Sequence, residues 1–261
     1  MNKDSLGDRM KENYENRYRF FLTRRTPVII RIDGKAFHTF TKHFCRPFDY
    51  IMAKTMQLTT LYLCQNIMGC QLGYTQSDEI SLLLIDYKKL TSQAWFDNNL
   101  QKIASISASM ATMAFNKFFI ENIGKICCSP ESNKDETIAE IPVYNKQAYN
   151  AMFDARAFNI PESEVCNYFI WRQQDATRNS IESAGHAYFT NKELHKVTCN
   201  QIQEKLLTEK NINWNDYPVC YKRGTAIKRL PFSRDWCIDL DTPIFSQYRS
   251  YIEELLRTEE E

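Results

Sequence analysis

The stretch Arg31-Ile32-Asp33-Gly34-Lys35-Ala36-Phe37-His38 follows directly on an apolar run, Val28-Ile29-Ile30. A short run of β-branched residues between a proline and a glycine predicts a buried strand. Asp33 then lies at the end of that strand, and Gly34 allows the backbone to turn sharply and to approach a ligand closely. A carboxylate at a strand end, with a lysine and a histidine just after it, suits a site for a metal and an anion. Asp-Gly is also one of the commonest turn pairs, so an ordinary turn stays open as the alternative.

The composition is that of a globular protein with enough length for one large domain or two smaller ones. A net charge of +1 excludes a protein that is basic throughout, but it leaves a local basic groove open. The nine cysteines contain no CxxC pair and the polar start shows no secretory signal, so we expect no disulfide framework. No apolar run approaches membrane-spanning length. We therefore expect a reduced, soluble, cytoplasmic protein without a membrane partner.

Hydrophobic periodicity predicts the elements of the first 160 residues. Steps of three and four residues indicate an amphipathic helix from Lys3 to about Arg24 and a second helix from Pro47 to about Asn66. Two apolar strands, Cys70–Tyr74 and Ile80–Ile85, flank the tight polar turn Gln76–Glu79. Strands separated by so few residues form an antiparallel hairpin.

A long helix from Asn98 to Phe119 and a strand from Met152 to Phe158 complete the order β-α-β-β-α-β, with a loop over Lys125–Pro142 between them. This is the split, ferredoxin-like arrangement, with an antiparallel sheet and both helices on one face. Its first strand is central, next to the strand that leads out of the hairpin. The end of that strand at Asp33 and the hairpin turn can therefore lie near each other.

Residues 161–261 are expected to form a helical extension packed on this core. The elements predicted there are a helix from Pro161 towards Ile181, a helix over Asn191–Lys210, a basic strand or strand-turn over Tyr221–Arg229, and an acidic, frayed end over Tyr251–Glu261. The fold class is thus α+β, with a core over residues 1–160.

Asp33, Asp78 and Glu79 carry the chemistry that this frame predicts. Acidic groups on one rim of a sheet can hold two divalent ions roughly 4 Å apart, as in two-metal phosphoryl transfer. Hard oxygen ligands select Mg²⁺, which takes further ligands from substrate phosphates. Basic side chains that would receive a triphosphate follow Asp33 closely: Lys35, His38, Lys42, His43 and Arg46. A solvated turn at Asp78 and Glu79 is the alternative.

Three strings in series resemble the tRNA(His) guanylyltransferase family over roughly Asp4 to Arg229. They are Arg31-Ile-Asp-Gly-Lys-Ala-Phe-His38, Tyr74-Thr-Gln-Ser-Asp-Glu-Ile-Ser81 and Phe153-Asp-Ala-Arg156. The resemblance implies a catalytic core like the palm of ordinary polymerases over residues 1–160, a tRNA-contacting extension, and a homotetramer. It implies an enzyme that adds nucleotides in the 3′-to-5′ direction to the 5′ end of tRNA, with two Mg²⁺ ions, ATP, and GTP or other nucleoside triphosphates.

The resemblance also implies roles for single residues. Asp33 and Asp78 match the metal-binding carboxylates and Gly34 the position whose backbone carbonyl binds metal, while Glu79 matches the acidic residue beside the second aspartate and is counted with the catalytic group. Lys35, Ala36, Phe37 and His38 match the loop around the triphosphate. Ser77 and Arg46, a lysine in many members, match further nucleotide contacts.

Two departures from the eukaryotic pattern favour one branch of the family. Pro47-Phe48-Asp49 stands where the eukaryotic enzymes have Pro-Asn-Asp, and Trp171-Arg-Gln173 is followed by Gln-Asp-Ala-Thr-Arg-Asn-Ser180 in place of their His-Ile-Asn-Asn-Leu-Tyr-Asn-Thr. The resemblance then favours the Thg-like branch, which repairs 5′-truncated tRNA using the opposite strand as template. Addition of a single G to tRNA(His), a palm-fold nucleotide cyclase and a catalytically silent tRNA-binding protein are the alternatives.

Basic and polar residues of the C-terminal part are the candidates for tRNA contact. Arg178 and Asn179 lie in the stretch that distinguishes the branch, and Lys222 and Arg223 belong to a basic cluster, where phosphate contacts are one reading and exposed charge the other. Arg172 has the same two readings, contact with the tRNA backbone or a solvated helix face.

Overall fold

One antiparallel sheet organises the protein. In this computed structural model, which describes residues 5–128, 134–230, 233 and 235–258, the sheet has six strands. They are β1 (Val28–Gly34), β2 (Cys70–Gln76), β3 (Glu79–Leu84), β4 (Phe153–Asn159), β5 (Thr225–Arg229) and β6 (Trp236–Asp239), in the spatial order β4-β1-β3-β2-β5-β6. The first four strands have the predicted ferredoxin-like topology, with β1 beside β3.

The helices pack on the two faces of this sheet or flank it. They are α1 (Ser5–Met10), α2 (Phe37–Phe40), α3 (Tyr50–Asn66), α4 (Leu100–Cys128), α5 (Lys134–Gln147), α6 (Glu162–Tyr188), α7 (Cys199–Lys210), α8 (Val219–Arg223) and α9 (Ser250–Glu253). Strand β1 begins with the apolar run Val28–Ile30 because both of its faces are covered there. Ile30 and Ile32 pack in the core with α3 and α4, whereas Ile29 packs in a second core with α6.

The C-terminal part contributes strands as well as helices to the fold. Strand β5 pairs with β2, and β6 pairs with β5. Residues after 160 therefore continue the same sheet, and the predicted extension is not purely helical. The basic stretch predicted over Tyr221–Arg229 divides into α8 and β5, with Gly224 between them at φ +78°.

The predicted N-terminal helix is shorter and more exposed than its pattern indicates. The α-helix ends at Met10 and continues as a π-helical turn, Lys11–Glu15, and a 3₁₀ turn, Asn16–Tyr18. The stripe of apolar residues lies on the surface: Leu6, Met10, Tyr14 and Tyr18 are 43% to 67% exposed. Periodicity correctly indicates a helix here, but in the structure its apolar stripe is largely exposed.

Three other boundaries differ from the sequence prediction. Helix α4 extends to Cys128 and α5 covers Lys134–Gln147, so the predicted loop is wrong except for residues 129–133, which lie outside the described residues. Helix α7 begins at Cys199 and not at Asn191, because Thr198 and Gln201 form a capping box there. The C-terminal end is not frayed over its described part, since Ile252 and Leu256 are buried.

Helix α4 is long and apolar enough, by length and composition, to cross a membrane within Leu100–Lys125. The expectation that no stretch reaches this length is therefore wrong. In the fold the helix lies against the sheet with Ile103, Phe115 and Phe119 fully buried. A core helix of a globular domain meets the same criterion, so the finding carries no membrane assignment.

Candidate active site

Asp33 and Asp78 meet at one rim of the sheet, as the sequence predicts. Asp33 pairs in register with Glu79 at the end of β1, and the backbone N–H of Gly34 donates to the Asp78 carbonyl at 3.1 Å. Gln76 pairs with Glu79, so Ser77 and Asp78 form the two-residue turn of the hairpin, with Ser77 in the left-handed region at φ +49°. The hairpin turn thus carries one aspartate to the strand end that carries the other.

The electrostatics of this rim suit a divalent cation. Burial raises the pKa of the Asp78 carboxyl and the nearby charge of Asp33 raises it further, against hydrogen bonds from its own backbone and from Ser77. A cation beside both carboxylates would relieve this repulsion. Within the part of the chain that the structure describes, no cluster of three or more His, Cys, Asp or Glu side chains could hold a metal. Two carboxylates and the Gly34 carbonyl fit Mg²⁺, which keeps waters and takes phosphate oxygens.

Glu79 faces two guanidinium groups. Its carboxylate lies 2.7 Å from Arg31 and 2.9 Å from Nε of Arg172, and Arg172 also pairs with Asp175 at 2.5 Å. Glu79 and Arg172 are 4% and 3% exposed. Burial raises the pKa of the Glu79 carboxyl, while both arginines act to lower it. Glu79 therefore links the β2–β3 hairpin to α6. Arg172, bound in this network, is neither on a solvated helix face nor available to a tRNA backbone.

The loop after Gly34 is fixed by aromatic packing. A Cβ at Gly34 would lie 2.3 Å from the ring of Phe37, and that ring packs against Phe40, Phe115 and Phe153. Gly34 is thus needed for the close approach of Phe37. Its φ is not positive; the left-handed residue of the loop is Ala36, at φ +55°.

A pocket of about 420 Å³ opens beside Asp78. Six of the predicted site residues line it, namely Phe37, His38, Arg46, Ser77, Asp78 and, from α6, Asn179. Lys35 and Ala36 are exposed and do not line it; the Lys35 N–H donates to the Met152 carbonyl at 2.8 Å. Asp154, the register partner of Asp33 on β4, is exposed and pairs with Arg156 at 3.1 Å.

The predicted tRNA contacts divide into surface and buried residues. Arg178 is exposed and ion-paired with Asp175, and Asn179 is half-buried at the pocket wall. Lys222 is only 8% exposed, and its ammonium donates to the Asn215 carbonyl beside the Trp214 ring. This burial argues against a phosphate contact by Lys222. Arg223 is half-buried, and its carbonyl accepts the Tyr74 hydroxyl at 2.6 Å.

Several pocket residues were not predicted from the sequence. Phe48, Asp49, Met52, Gln76, Ser180, Ser183, Cys220 and Tyr221 also line the pocket. The sequence did offer a clue to Phe48, since this residue departs from the family pattern close to Arg46. The sequence offered no clue to Tyr221, because the residues around it do not predict that α8 folds back against the loop before α3.

A family model described as tRNAHis guanylyltransferase matches residues 7–161, more than half of the chain. The chain belongs to the tRNA(His) guanylyltransferase family. It is therefore a nucleotidyltransferase. The match covers all three strings that carry the resemblance, and the palm-like fold agrees with it.

Solved structures of the family are similar over nearly the whole chain. A bacterial tRNA(His) guanylyltransferase-like protein in complex with ATP is 48% identical, with a TM-score of 0.84, over 98% of this chain and 100% of that one. A bacterial guanylyltransferase-like protein in complex with GTP is 46% identical, with a TM-score of 0.76, over 97% and 99%.

More distant relatives include viral and fungal proteins. An uncharacterized protein of Acanthamoeba polyphaga mimivirus is 29% identical over 97% of this chain and 88% of its own length. The tRNA(His) guanylyltransferase of Saccharomyces cerevisiae is 26% identical over 77% of this chain and 82% of its own length.

Proposed function

We propose that this nucleotidyltransferase adds nucleotides in the 3′-to-5′ direction to the 5′ end of tRNA, and that it repairs 5′-truncated tRNA using the opposite strand as template. The observation that carries the proposal is the pocket lined by Asp78, His38, Arg46 and Ser77, with Asp33 at the neighbouring strand end. Its volume lies in the range of small-molecule sites. The similarity to bacterial proteins in complex with ATP and with GTP supports nucleoside triphosphates as its ligands.

The reaction has two stages. An oxygen of the tRNA 5′-monophosphate attacks the α-phosphorus of ATP, pyrophosphate leaves, and an adenylated 5′ end results. The 3′-hydroxyl of the incoming nucleotide then attacks the 5′-phosphorus of the tRNA, and AMP leaves. A 5′-triphosphate end enters at the second stage and releases pyrophosphate.

The residues at the rim have defined parts in this scheme. Asp33, Asp78 and the Gly34 carbonyl would hold two Mg²⁺ ions, which when bound lower the pKa of the attacking hydroxyl and neutralise charge on the transferred phosphate. Arg46 and His38 orient the triphosphate from the wall of the pocket, with Ser77 at the hairpin turn. Glu79 contributes by holding the hairpin against α6 through Arg172.

The substrate tRNA would approach from the side of α6. Arg178 is the exposed cation there, with Asn179 beside it and Arg223 half-buried on α8. The family resemblance further supports a homotetramer that works in the cytoplasm. The exposed apolar residues of the N-terminal segment, among them Leu6, Tyr14 and Tyr18, give such an assembly a surface to bury.

A reconstituted assay tests the proposal. Purified protein, Mg²⁺, ATP and labelled nucleotides are incubated with a tRNA that lacks its first nucleotide, in versions whose opposite base is varied. Template-matched addition at the 5′ end is the expected result. Addition of G whatever the opposite base would support the single-G guanylyltransferase instead. Asp33→Asn and Asp78→Asn should abolish either reaction, and retained activity in both would overturn the two-metal proposal.

A further inference from the structure

Two aromatic rings stack on each other in the pocket wall. The rings of Phe48 and Tyr221 stack with centroids 4.9 Å apart and an interplanar angle of 4°. Tyr217, which is not among the pocket-lining residues, braces Phe48 edge-on at 5.0 Å and 82°. Both stacked residues line the pocket and are half-buried. The facing sides of the two rings cover each other, so the pair offers a ligand the outer face of one ring, which the other ring supports from behind.

The acidic residue next to this stack is already engaged by the protein. One carboxylate oxygen of Asp49 accepts the Met52 N–H at 2.8 Å and so caps α3, and the other accepts the Cys45 N–H at 3.1 Å and the Tyr144 hydroxyl at 2.7 Å. A site that selects guanine requires acceptors placed for its N–H groups, and such readout discriminates strongly because a wrong base leaves buried polar groups unpaired. Asp49 instead holds the loop that carries Phe48.

Two further polar residues of the wall, Ser180 and Asn179, also have partners within the protein. Ser180 accepts the indole N–H of Trp214 at 3.1 Å, and the Asn179 amide oxygen accepts from Arg178 at 3.5 Å. The polar groups suited to phosphate, Arg46, His38 and Ser77, belong to the same pocket as the rings. One cavity thus joins a phosphate-binding region to an aromatic face.

We propose that Phe48 and Tyr221 form a stacking platform for the nucleotide base, which accepts all four bases by their π-faces and leaves base choice to the template strand. This inference rests on the proposed function and deepens it. Base–aromatic stacking tolerates any sequence because every base has a π-face. A repair enzyme that must add whichever nucleotide the opposite strand dictates needs such a pocket, whereas an enzyme dedicated to one G does not.

Direct binding measurements test the platform without tRNA. The dissociation constants of ATP, GTP, CTP and UTP with Mg²⁺ are measured by calorimetry for the wild-type protein and for Phe48→Leu, Phe48→Trp and Tyr221→Phe. Phe48→Leu keeps an apolar side chain but removes the ring, and it should weaken all four nucleotides by about 5- to 150-fold. Tyr221→Phe and Phe48→Trp keep aromatic rings and should stay within about threefold of the wild type, so a large loss of affinity in either of them would also count against stacking, even if Phe48→Leu folds poorly.

Two results would overturn the platform. One is an unchanged set of four affinities in Phe48→Leu, and the other is a loss confined to a single base, which would indicate hydrogen-bond readout. The proposed function fails differently: the wild-type protein would then bind nucleotides but add none to a 5′-truncated tRNA. Binding and addition are separate readouts, so the two failures are distinguishable.

Discussion

Gly34 and Gly124 give a matched test of why the loop after β1 needs a glycine. A methyl group at Gly34 would lie 2.3 Å from the Phe37 ring, whereas at Gly124, inside α4, nothing lies within 4 Å. Gly34→Ala should lower the free energy of unfolding by about 1–3 kcal/mol through overpacking and displace the loop that precedes α2. Gly124→Ala should raise it by about 0.5–1 kcal/mol. Urea unfolding of both variants checks this, and equal effects would show that the Phe37 contact is not what requires Gly34.

The ionised carboxylate of Asp78 lowers the free energy of unfolding of the metal-free protein. Its pKa is raised by burial and by Asp33, so the folded protein disfavours its charged form. The resulting penalty is absent below the ordinary carboxyl pKa, grows as the pH rises through the interval up to the raised pKa, and is complete above it. Asp78→Asn should therefore raise the Tm of the metal-free protein at pH 7 by about 1–3 °C while abolishing activity.

The pH dependence of the Tm gain shows whether it comes from the ionisation of Asp78 or from a pH-independent effect of the substitution. The gain in Tm from Asp78→Asn should shrink as the pH is lowered towards 4, because the carboxyl of the folded wild-type protein, with its raised pKa, then becomes protonated and loses its penalty. Thermal unfolding of the two proteins across pH 4 to 8 measures it. A gain that is constant over this range would mean that ionisation of Asp78 is not its cause.

At the scale of elements, an ion-pair network holds the β2–β3 hairpin to α6. Arg172 contacts Glu79 on β3, and both are buried, whereas Arg178 is exposed; both arginines pair with Asp175. Removing one partner of a buried pair leaves an uncompensated charge, so Arg172→Met should cost about 3–5 kcal/mol of unfolding free energy. Arg178→Met should cost less than about 1 kcal/mol, because exposed pairs contribute little.

A double-mutant cycle separates the pair from other contacts of Arg172. Arg172→Met combined with Glu79→Leu should cost much less than the sum of the single changes, because the remaining buried charge is then removed. Additive losses would indicate that Arg172 acts through packing on Trp171, whose ring lies 4.1 Å from its guanidinium.

The secondary-structure elements also show which features of the fold can be predicted from sequence patterns and which cannot. Strands β1 and β3 were predictable because burial on both faces favours short apolar runs, Val28–Ile30 and Leu82–Leu84, and the proximity of Asp33 and Asp78 followed from the pairing of these two strands. The extent of α5 was not, since its polar composition resembles a loop. Glu79 and Arg172 could not be paired from the sequence, because their contact depends on where α6 crosses the sheet.

At the scale of the whole molecule, the pocket joins three distant stretches of chain. The loop after β1, the β2–β3 hairpin and the C-terminal elements α6 and α8 all contribute to its wall. No single stretch could have predicted it, since Phe48 and Tyr221 meet only when α8 packs beside the start of α3. A ligand in the pocket contacts all three parts of the chain at once and binds only when they are assembled.

A bound nucleotide should therefore stabilise the entire fold. The size of this stabilisation should depend on the carboxylates of Asp33 and Asp78. At one hundred times its Kd, ATP with Mg²⁺ should contribute about 2.7 kcal/mol and raise the Tm by about 5–10 °C. EDTA, Asp33→Asn or Asp78→Asn should remove most of that rise, because the phosphates then lose the ions that the two carboxylates would hold. Asp154→Asn is the matched control, since Asp154 is the register partner of Asp33 but is exposed and paired with Arg156. A rise that survives EDTA and both rim variants would show that the triphosphate binds without Mg²⁺ at this site, through Arg46 and His38 alone.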